Sequence, residues 1–190
     1  MRIISGKYKG RHFDIPRSFK ARPTTDFAKE NLFNILLNYL DFDNIKALDL
    51  FSGTGSISLE LLSRGCGQVT SVELDSQHFS YLKKCASALG DKNWNIIRDD
   101  TFRFIRRCNS TYDLIFADPP YALKELANIP DLVMSSTMLA PNGIFIFEHG
   151  KDNDFSKHPC FFRHISYGSV NFSFFAHPNE KQENTDKTIE

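Results

Sequence analysis

The sequence predicts an α/β protein built on a doubly wound, seven-stranded sheet whose last strand runs antiparallel. Three observations carry this. From Ile45 onward, short apolar runs of strand character alternate with helical stretches, the pattern of helices covering both faces of a parallel sheet. A glycine-bearing loop, Ser52-Gly53-Thr54-Gly55, leaves the first of these strands and enters a helix. Near the end, runs at 164–167 and 170–176 are separated only by Gly168-Ser169, which predicts a closing antiparallel pair.

In chain order, residues 2–5 and 12–15 read as two short strands joined through Gly6-Lys7-Tyr8-Lys9-Gly10, a small N-terminal hairpin. A polar connection containing Arg22-Pro23-Thr24 follows. Thr25 or Asp26 caps a helix that continues to about Tyr39, with Phe33, Leu36, Leu37 and Leu40 on one face. Strand 46–51 leads through the glycine loop to helix 56–64, which stops at Gly65. Strand 68–73 precedes helix 76–89, ended by Gly90, and residues 94–98 and 101–107 give a third strand and helix. Residues 112–117 are the fourth strand, and 123–138 hold its helix, with Pro130 near a start or a break. Residues 143–148 are the fifth strand. The last residues, 178–190, are polar and lack apolar periodicity, as in a disordered tail. The expected organisation is a basic extension over 1–22, a sheet domain over 23–177, and the tail.

At 190 residues the chain can bury one full core and is short for two. No apolar run approaches the roughly 18 residues of a membrane span, and the N-terminus has no signal-peptide core. Four cysteines at 66, 85, 108 and 160 include no CxxC, so they point to neither a zinc site nor a disulfide framework. The expectation is a cytoplasmic monomer without a metal. Net charge is zero, but residues 1–22 hold seven Lys or Arg against Asp14 alone. Such a start is a candidate phosphate-contacting surface; a solvated terminus is the plainer alternative.

The glycine loop lies where a dinucleotide fingerprint would, except that Ser58 replaces its third glycine. Glu73 follows at the end of the second strand, placed to take both ribose hydroxyls of an adenosine-containing ligand. Asp99-Asp100 ends the third strand, where a carboxylate can meet the adenine amino group. A pyrophosphate favours bare amides with no acid nearby. Here Asp49 precedes the glycines and Glu73 follows, which suits a cationic sulfonium and its ammonium group. S-adenosyl-L-methionine is therefore preferred to NAD. Its candidate contacts are Thr24, Asp49, Phe51, Gly53, Thr54, Gly55, Glu73, Leu74, Asp99, Asp100 and Asp118.

Asp118-Pro119-Pro120-Tyr121 follows the fourth strand. Two prolines donate no amide hydrogens and fix φ, so the corner is stiff. The Asp118 side chain, the Pro119 carbonyl and the Tyr121 ring can converge on a planar ligand carrying an exocyclic NH2. A proline turn that merely ends a strand is the bland alternative.

With Asp49–Gly55, Glu73, Asp100 and Asp118–Tyr121, the chain resembles the class I S-adenosylmethionine-dependent methyltransferases, which have a Rossmann-like sheet. Asp-Pro-Pro-Tyr resembles the signature of their amino-methylating branch. Gly6-Lys-Tyr-Lys-Gly10-Arg11, Arg22-Pro23-Thr24, Glu30-Asn-Leu-Phe33-Asn-Ile-Leu36, Leu59-Glu60 and Ser63-Arg64-Gly65 narrow the resemblance. They are similar to the RsmD-type bacterial 16S ribosomal RNA guanine-N2 methyltransferase family, over about residues 1–176. The resemblance implies methylation of a guanine N2 amine in ribosomal RNA, within an assembling small subunit. It makes Asp118, Pro119, Pro120 and Tyr121 the catalytic residues, and Lys7, Lys9, Arg11, Arg17 and Arg22 RNA contacts. Alternatives are another nucleic-acid amino-methyltransferase, such as an adenine-N6 enzyme, an NAD(P)-dependent oxidoreductase on the same sheet, or a non-catalytic RNA-binding assembly factor.

Overall fold

The computed structural model describes residues 1–19 and 25–178. Arg22, Thr24 and residues 179–190 of the expected tail lie outside the described residues. The sheet has seven strands, as the alternating pattern predicts. The chain divides into two compact units, residues 1–104 and 105–190, so the basic start belongs to the first unit.

The first unit carries α1 (Asp26–Leu36), β1 (Lys46–Leu50), α2 (Ser56–Ser63), β2 (Gln68–Glu73), α3 (Ser76–Leu89) and β3 (Trp94–Arg98); α4 (Thr101–Arg107) spans the division. Its strands are parallel in the order β3-β2-β1. Four of the five β1 residues and five of the six β2 residues are buried, the continuous burial expected of strands covered on both faces. Thr25 caps α1, its hydroxyl accepting from the Ala28 amide at 3.2 Å. Asp75 caps α3 by accepting from the Gln77 and His78 amides. The helix α1 ends at Leu36 instead of Tyr39, and Leu37, expected on the apolar face, is exposed.

The second unit carries β4 (Tyr112–Ala117), a single 3-10 turn (Leu126–Asn128), α5 (Ile129–Met134), β5 (Leu139–His149), β6 (Phe161–Tyr167) and β7 (Val170–Phe175). Here β4 and β5 are parallel, while β7 runs antiparallel to both β5 and β6. The helix expected over 123–138 is two short pieces. Pro130 falls in the first turn of α5, where its missing amide costs nothing, and the Ser136 hydroxyl caps the Val133 carbonyl at 2.6 Å.

The N-terminal hairpin is reduced to one bridge, Arg2 to His12. Backbone hydrogen bonds link Ile3 with Gly10 and Arg11, and Phe13 with Met1, and beyond them a side chain takes the next two amides. Glu60 of α2 is wholly buried, and its carboxylate accepts from the Ile4 and Ser5 amides at 2.8 and 3.1 Å. Arg64 donates to the same carboxylate at 2.9 Å and lies over the Phe33 ring. Lys29 of α1, 1% exposed, sits 3.7 Å from it and donates to the Arg2 carbonyl and the Ser56 hydroxyl. Burial lowers the Lys29 pKa, and the Glu60 charge opposes that shift. The two cations and two amides offset the desolvation of a buried acid. The first residues, α1 and α2 are thereby tied to one side chain.

Removing the charge from such a cluster strands its buried partners. Glu60→Gln is expected to cost about 3 kcal/mol of unfolding free energy, measured by urea denaturation. A loss below about 1 kcal/mol would show that the cluster does not anchor the unit.

Candidate functional site

The first unit gathers most of the proposed cofactor residues at the carboxyl ends of its strands. Phe51, directly after β1, has φ 60°, a left-handed conformation that costs a side-chain-bearing residue about 1–3 kcal/mol. Gly53 and Gly55 follow with φ 51° and 76°. The strain is held by Glu73 at the end of β2. Its Oε2 accepts from the Gly53 amide and its Oε1 from the Asp75 amide, both at 2.7 Å. The Ser52 amide and hydroxyl both donate to the Val72 carbonyl.

The two glycines serve different ends. A Cβ on Gly55 would sit on backbone at φ 76°, 2.5 Å from Leu82 Cδ2 and 3.3 Å from the Trp94 ring, so a side chain there meets both strain and crowding. A Cβ on Gly53 would meet nothing nearer than the Phe51 carbonyl oxygen at 3.8 Å, so the space over this backbone is open. Leu74, next to Glu73, is 59% exposed, a large apolar side chain beside that opening. Thr54 is buried beneath the loop.

Asp49 is nearly inaccessible and engaged inward. It accepts from the Ser58 amide at 3.2 Å and from the Ser58 hydroxyl. That hydroxyl meets Ser71 Oγ, which also accepts from the Trp94 indole at 2.7 Å. The serine at the third-glycine position is therefore a ligand of Asp49, which explains this departure from the fingerprint. Asp99 pairs with Arg103, and Asp100 accepts from the Arg103 amide at 2.9 Å, capping α4. Both acids thus carry structural partners at the end of β3, where the adenine contact was expected.

The basic start is folded down. Lys7 pairs with Asp91 at 2.9 Å, and Tyr8 donates to the same carboxylate. Arg11 donates to the Ala88 carbonyl at 2.7 Å, in the last turn of α3, a position that favours a cation. Lys7 and Arg11 therefore brace the unit through these contacts, and Lys7, Lys9, Arg11 and Arg17 are all exposed. The groove bordered by Lys46, Gln68 and Trp94 lies at the amino ends of these strands, away from the loops described above.

In the second unit, β4 delivers Asp118 half-buried, Pro119 buried, and Pro120 and Tyr121 exposed. The Leu123 amide donates to the Pro120 carbonyl at 2.8 Å, closing the corner as a turn. The Tyr121 hydroxyl lies 3.4 Å from Glu148 Oε1. Burial, then the charges of Glu148 and Asp118, push its pKa above the ordinary phenol value. A Cβ on Gly150 would sit 3.4 Å from Tyr121 Cδ2, so the ring rests on a bare stretch of backbone. His149 has the structural role expected of an isolated buried histidine. Its Nδ1 faces the Gly150 carbonyl at 2.9 Å, and its Nε2 meets the Ser173 hydroxyl at 2.8 Å. A carbonyl only accepts, so Nδ1 carries the proton and Nε2 accepts. Burial lowers the His149 pKa in keeping with a neutral ring.

Sequence reasoning missed the roles of Glu148, Glu60 and Lys29. Glu148 carries the signal that marked Asp118, an acid at the carboxyl end of an apolar strand. Among the described residues no helix is long and apolar enough to cross a membrane, and no group of three or more His, Cys, Asp or Glu is arranged for a metal ion.

Known proteins are similar to this chain in sequence and in fold. The profile of the family described as conserved hypothetical protein 95 matches residues 1–176. The Ribosomal RNA small subunit methyltransferase D of Buchnera aphidicola (subspecies Baizongia pistaciae) is 34% identical over 151 residues, covering 78% of this chain and 75% of that protein. The solved hypothetical protein TTHA0928 of Thermus thermophilus superposes with a TM-score of 0.82 at 24% identity, covering 93% of this chain and 99% of that one. A Thiobacillus denitrificans SAM-dependent methyltransferase, solved in complex with S-adenosyl-L-homocysteine, gives 0.57 at 22% identity, covering 72% and 56%.

Burial raises the Asp49 pKa to about 7, against the Ser58 hydrogen bonds and with a smaller push from Glu73. A carboxyl with a higher pKa folded than unfolded stabilises the fold while protonated, and that contribution is lost as pH rises through the folded value. Urea unfolding should therefore show stability falling by about 2–3 kcal/mol between pH 5 and 8. Asp49→Asn should flatten this fall. An equal fall in the variant would assign it to other groups.

Proposed function

The chain belongs to the conserved hypothetical protein 95 family, and from that premise we propose that it methylates the exocyclic N2 amine of a guanine in small-subunit ribosomal RNA, using S-adenosyl-L-methionine. The observation that carries this reading is the corner at the end of β4. There a half-buried carboxylate, a proline carbonyl and a half-exposed aromatic ring follow one another on a stiff backbone. The name of the Buchnera relative supports ribosomal RNA as the substrate. The choice of base rests on the motifs shared with the RsmD type.

The first unit fits the cofactor. Each Glu73 oxygen already accepts one amide, and a carboxylate offers about four acceptor sites, so ribose hydroxyls can still be bound. Open space over Gly53 and exposed Leu74 provide room and apolar surface. Asp49, Phe51, Thr54 and Gly55 shape the same loop, Asp99 and Asp100 flank it, and Thr24 is the remaining contact proposed in this unit. S-adenosyl-L-methionine supplies an electrophilic methyl group on a sulfonium.

The second unit prepares the nucleophile. A guanine N2 lone pair is delocalised into its ring, so alignment dominates the barrier. The Asp118 carboxylate and the Pro119 carbonyl accept the two amine hydrogens and turn the nitrogen lone pair toward the methyl group. Asp118 receives the proton as positive charge develops on nitrogen. Tyr121 stacks on the base, a contact worth about 1–3 kcal/mol. The nucleotide must be unpaired or flipped out for this to occur. Lys9 and Arg17 are the phosphate contacts best placed for RNA, with Lys7, Arg11 and Arg22 adding to the basic field. The substrate is RNA within an assembling small subunit, and the protein acts as a cytoplasmic monomer.

Asp118→Ala should lower methylation of small-subunit RNA by about 10²–10⁴-fold while leaving cofactor affinity, measured by calorimetry, within about threefold. Full activity in this variant would remove the assigned role. Tyr121→Ala should lose about 5- to 150-fold in kcat/KM, the equivalent of one stacking contact, and Tyr121→Phe should be near wild type. An inactive Phe variant would assign the function to the hydroxyl.

A further inference from the structure

The register of β4 and β5 sets a second carboxylate beside the proline corner. Ala117 pairs with Phe147 in this parallel pair, so Asp118 and Glu148 are the next residues along adjacent strands. Glu148 is 4% exposed, and its Oε1 lies at the end of a long hydrogen bond from the Tyr121 hydroxyl. The Tyr121 ring packs on Gly150, whose carbonyl is fixed by His149, which in turn is held by Ser173. With one side on this backbone and 49% of the residue exposed, Tyr121 is a shelf for a planar ligand, and Glu148 stands at its polar edge.

We infer that Glu148 is the specificity-determining residue that selects guanine, by accepting the N1–H on the Watson–Crick edge of the base stacked on Tyr121. This rests on the proposed guanine-N2 reading. Guanine carries two neighbouring donors on that edge, the N2 amine and N1–H. The two neighbouring strands end in two acceptors, Asp118 for the amine and Glu148 for N1–H. Adenine presents a bare N1 there, an acceptor facing a carboxylate, which is repulsive. A site built to accept a substrate N–H rejects an analogue lacking it far more strongly than a site discriminating by size. Glu148 does not take part in the transfer itself.

The test uses 2-aminopurine, which keeps the C2 amine but has no hydrogen on N1. Once the modified nucleotide is mapped, small-subunit RNA is prepared with guanine or 2-aminopurine there, as the fragment or reconstituted subunit that the wild-type protein methylates. Wild type should favour guanine by at least about 100-fold in kcat/KM. Glu148→Gln, whose amide can donate to a bare N1, should lose at least about tenfold on guanine and bring the two bases within about threefold. Tyr121→Phe should keep the wild-type preference, and all three proteins should bind S-adenosyl-L-methionine alike. An unchanged preference in Glu148→Gln, or an equal loss on both bases, overturns the inference, since a residue that only steadies Tyr121 would act so. If wild type forms N2-methylguanosine yet Glu148→Gln keeps its preference, only this inference falls. If wild type forms none, the proposed function falls and this inference with it.

Discussion

Glu73 fixes the shape of the loop on which the first unit depends. A chain that turns from β1 into α2 within five residues places Phe51, Gly53 and Gly55 at positive φ, and the Gly55 amide, donating to the Ser52 carbonyl at 2.7 Å, helps to stabilise that path from within the loop. One nearly buried carboxylate also does so, by drawing the Gly53 amide and the Asp75 amide to its two oxygens. The amides offset the cost of burying the acid, and the acid offsets the cost of strained backbone. The loop is thereby ordered by the protein's own groups, and an ordered loop lowers the ordering cost of any binding to it.

Asp49 extends the same arrangement inward. In a fingerprint with three glycines, the third allows close packing of helix on strand. Ser58 occupies that place with its whole side chain buried, and its amide and hydroxyl both serve Asp49. Through Ser71 the chain of hydrogen bonds reaches the Trp94 indole on β3. Thus the acid that precedes the glycines is positioned by three neighbouring elements, and its protonation is coupled to the fold. Gly55 combines a positive φ with Leu82 and Trp94 packed against it, and a side chain there would be strained and crowded.

Features that rest on local chemistry were legible in the sequence. Gly53 and Gly55 after a strand, Glu73 one unit later, and a double proline following an apolar run each declare themselves within a few residues. The sheet class followed from alternation, because strand and helix periods differ. What was not legible depends on long-range pairing. Glu60 enters the sequence reading only as part of a shared motif, because the amides it binds lie more than fifty residues away. Lys7 and Arg11 read as free charge until Asp91 and the end of α3 are placed beside them. Glu148 gains meaning only from the register that sets it next to Asp118. Pro130, read as near a helix start or a break, lies at a start, but the short segment after it could not be sized without the serine that ends it.

The central claim is chemical: a methyl group passes to the amine at C2 of a guanine. Its most direct measurement is the identity of the product. Small subunits and their RNA from a strain lacking this protein are incubated with it and methyl-labelled S-adenosyl-L-methionine, and the RNA is digested to nucleosides for mass spectrometry. The account predicts label in N2-methylguanosine, arising from one nucleotide of the small-subunit RNA. Label in N6-methyladenosine, in a ring-methylated or ribose-methylated nucleoside, or in no nucleoside at all, would contradict it.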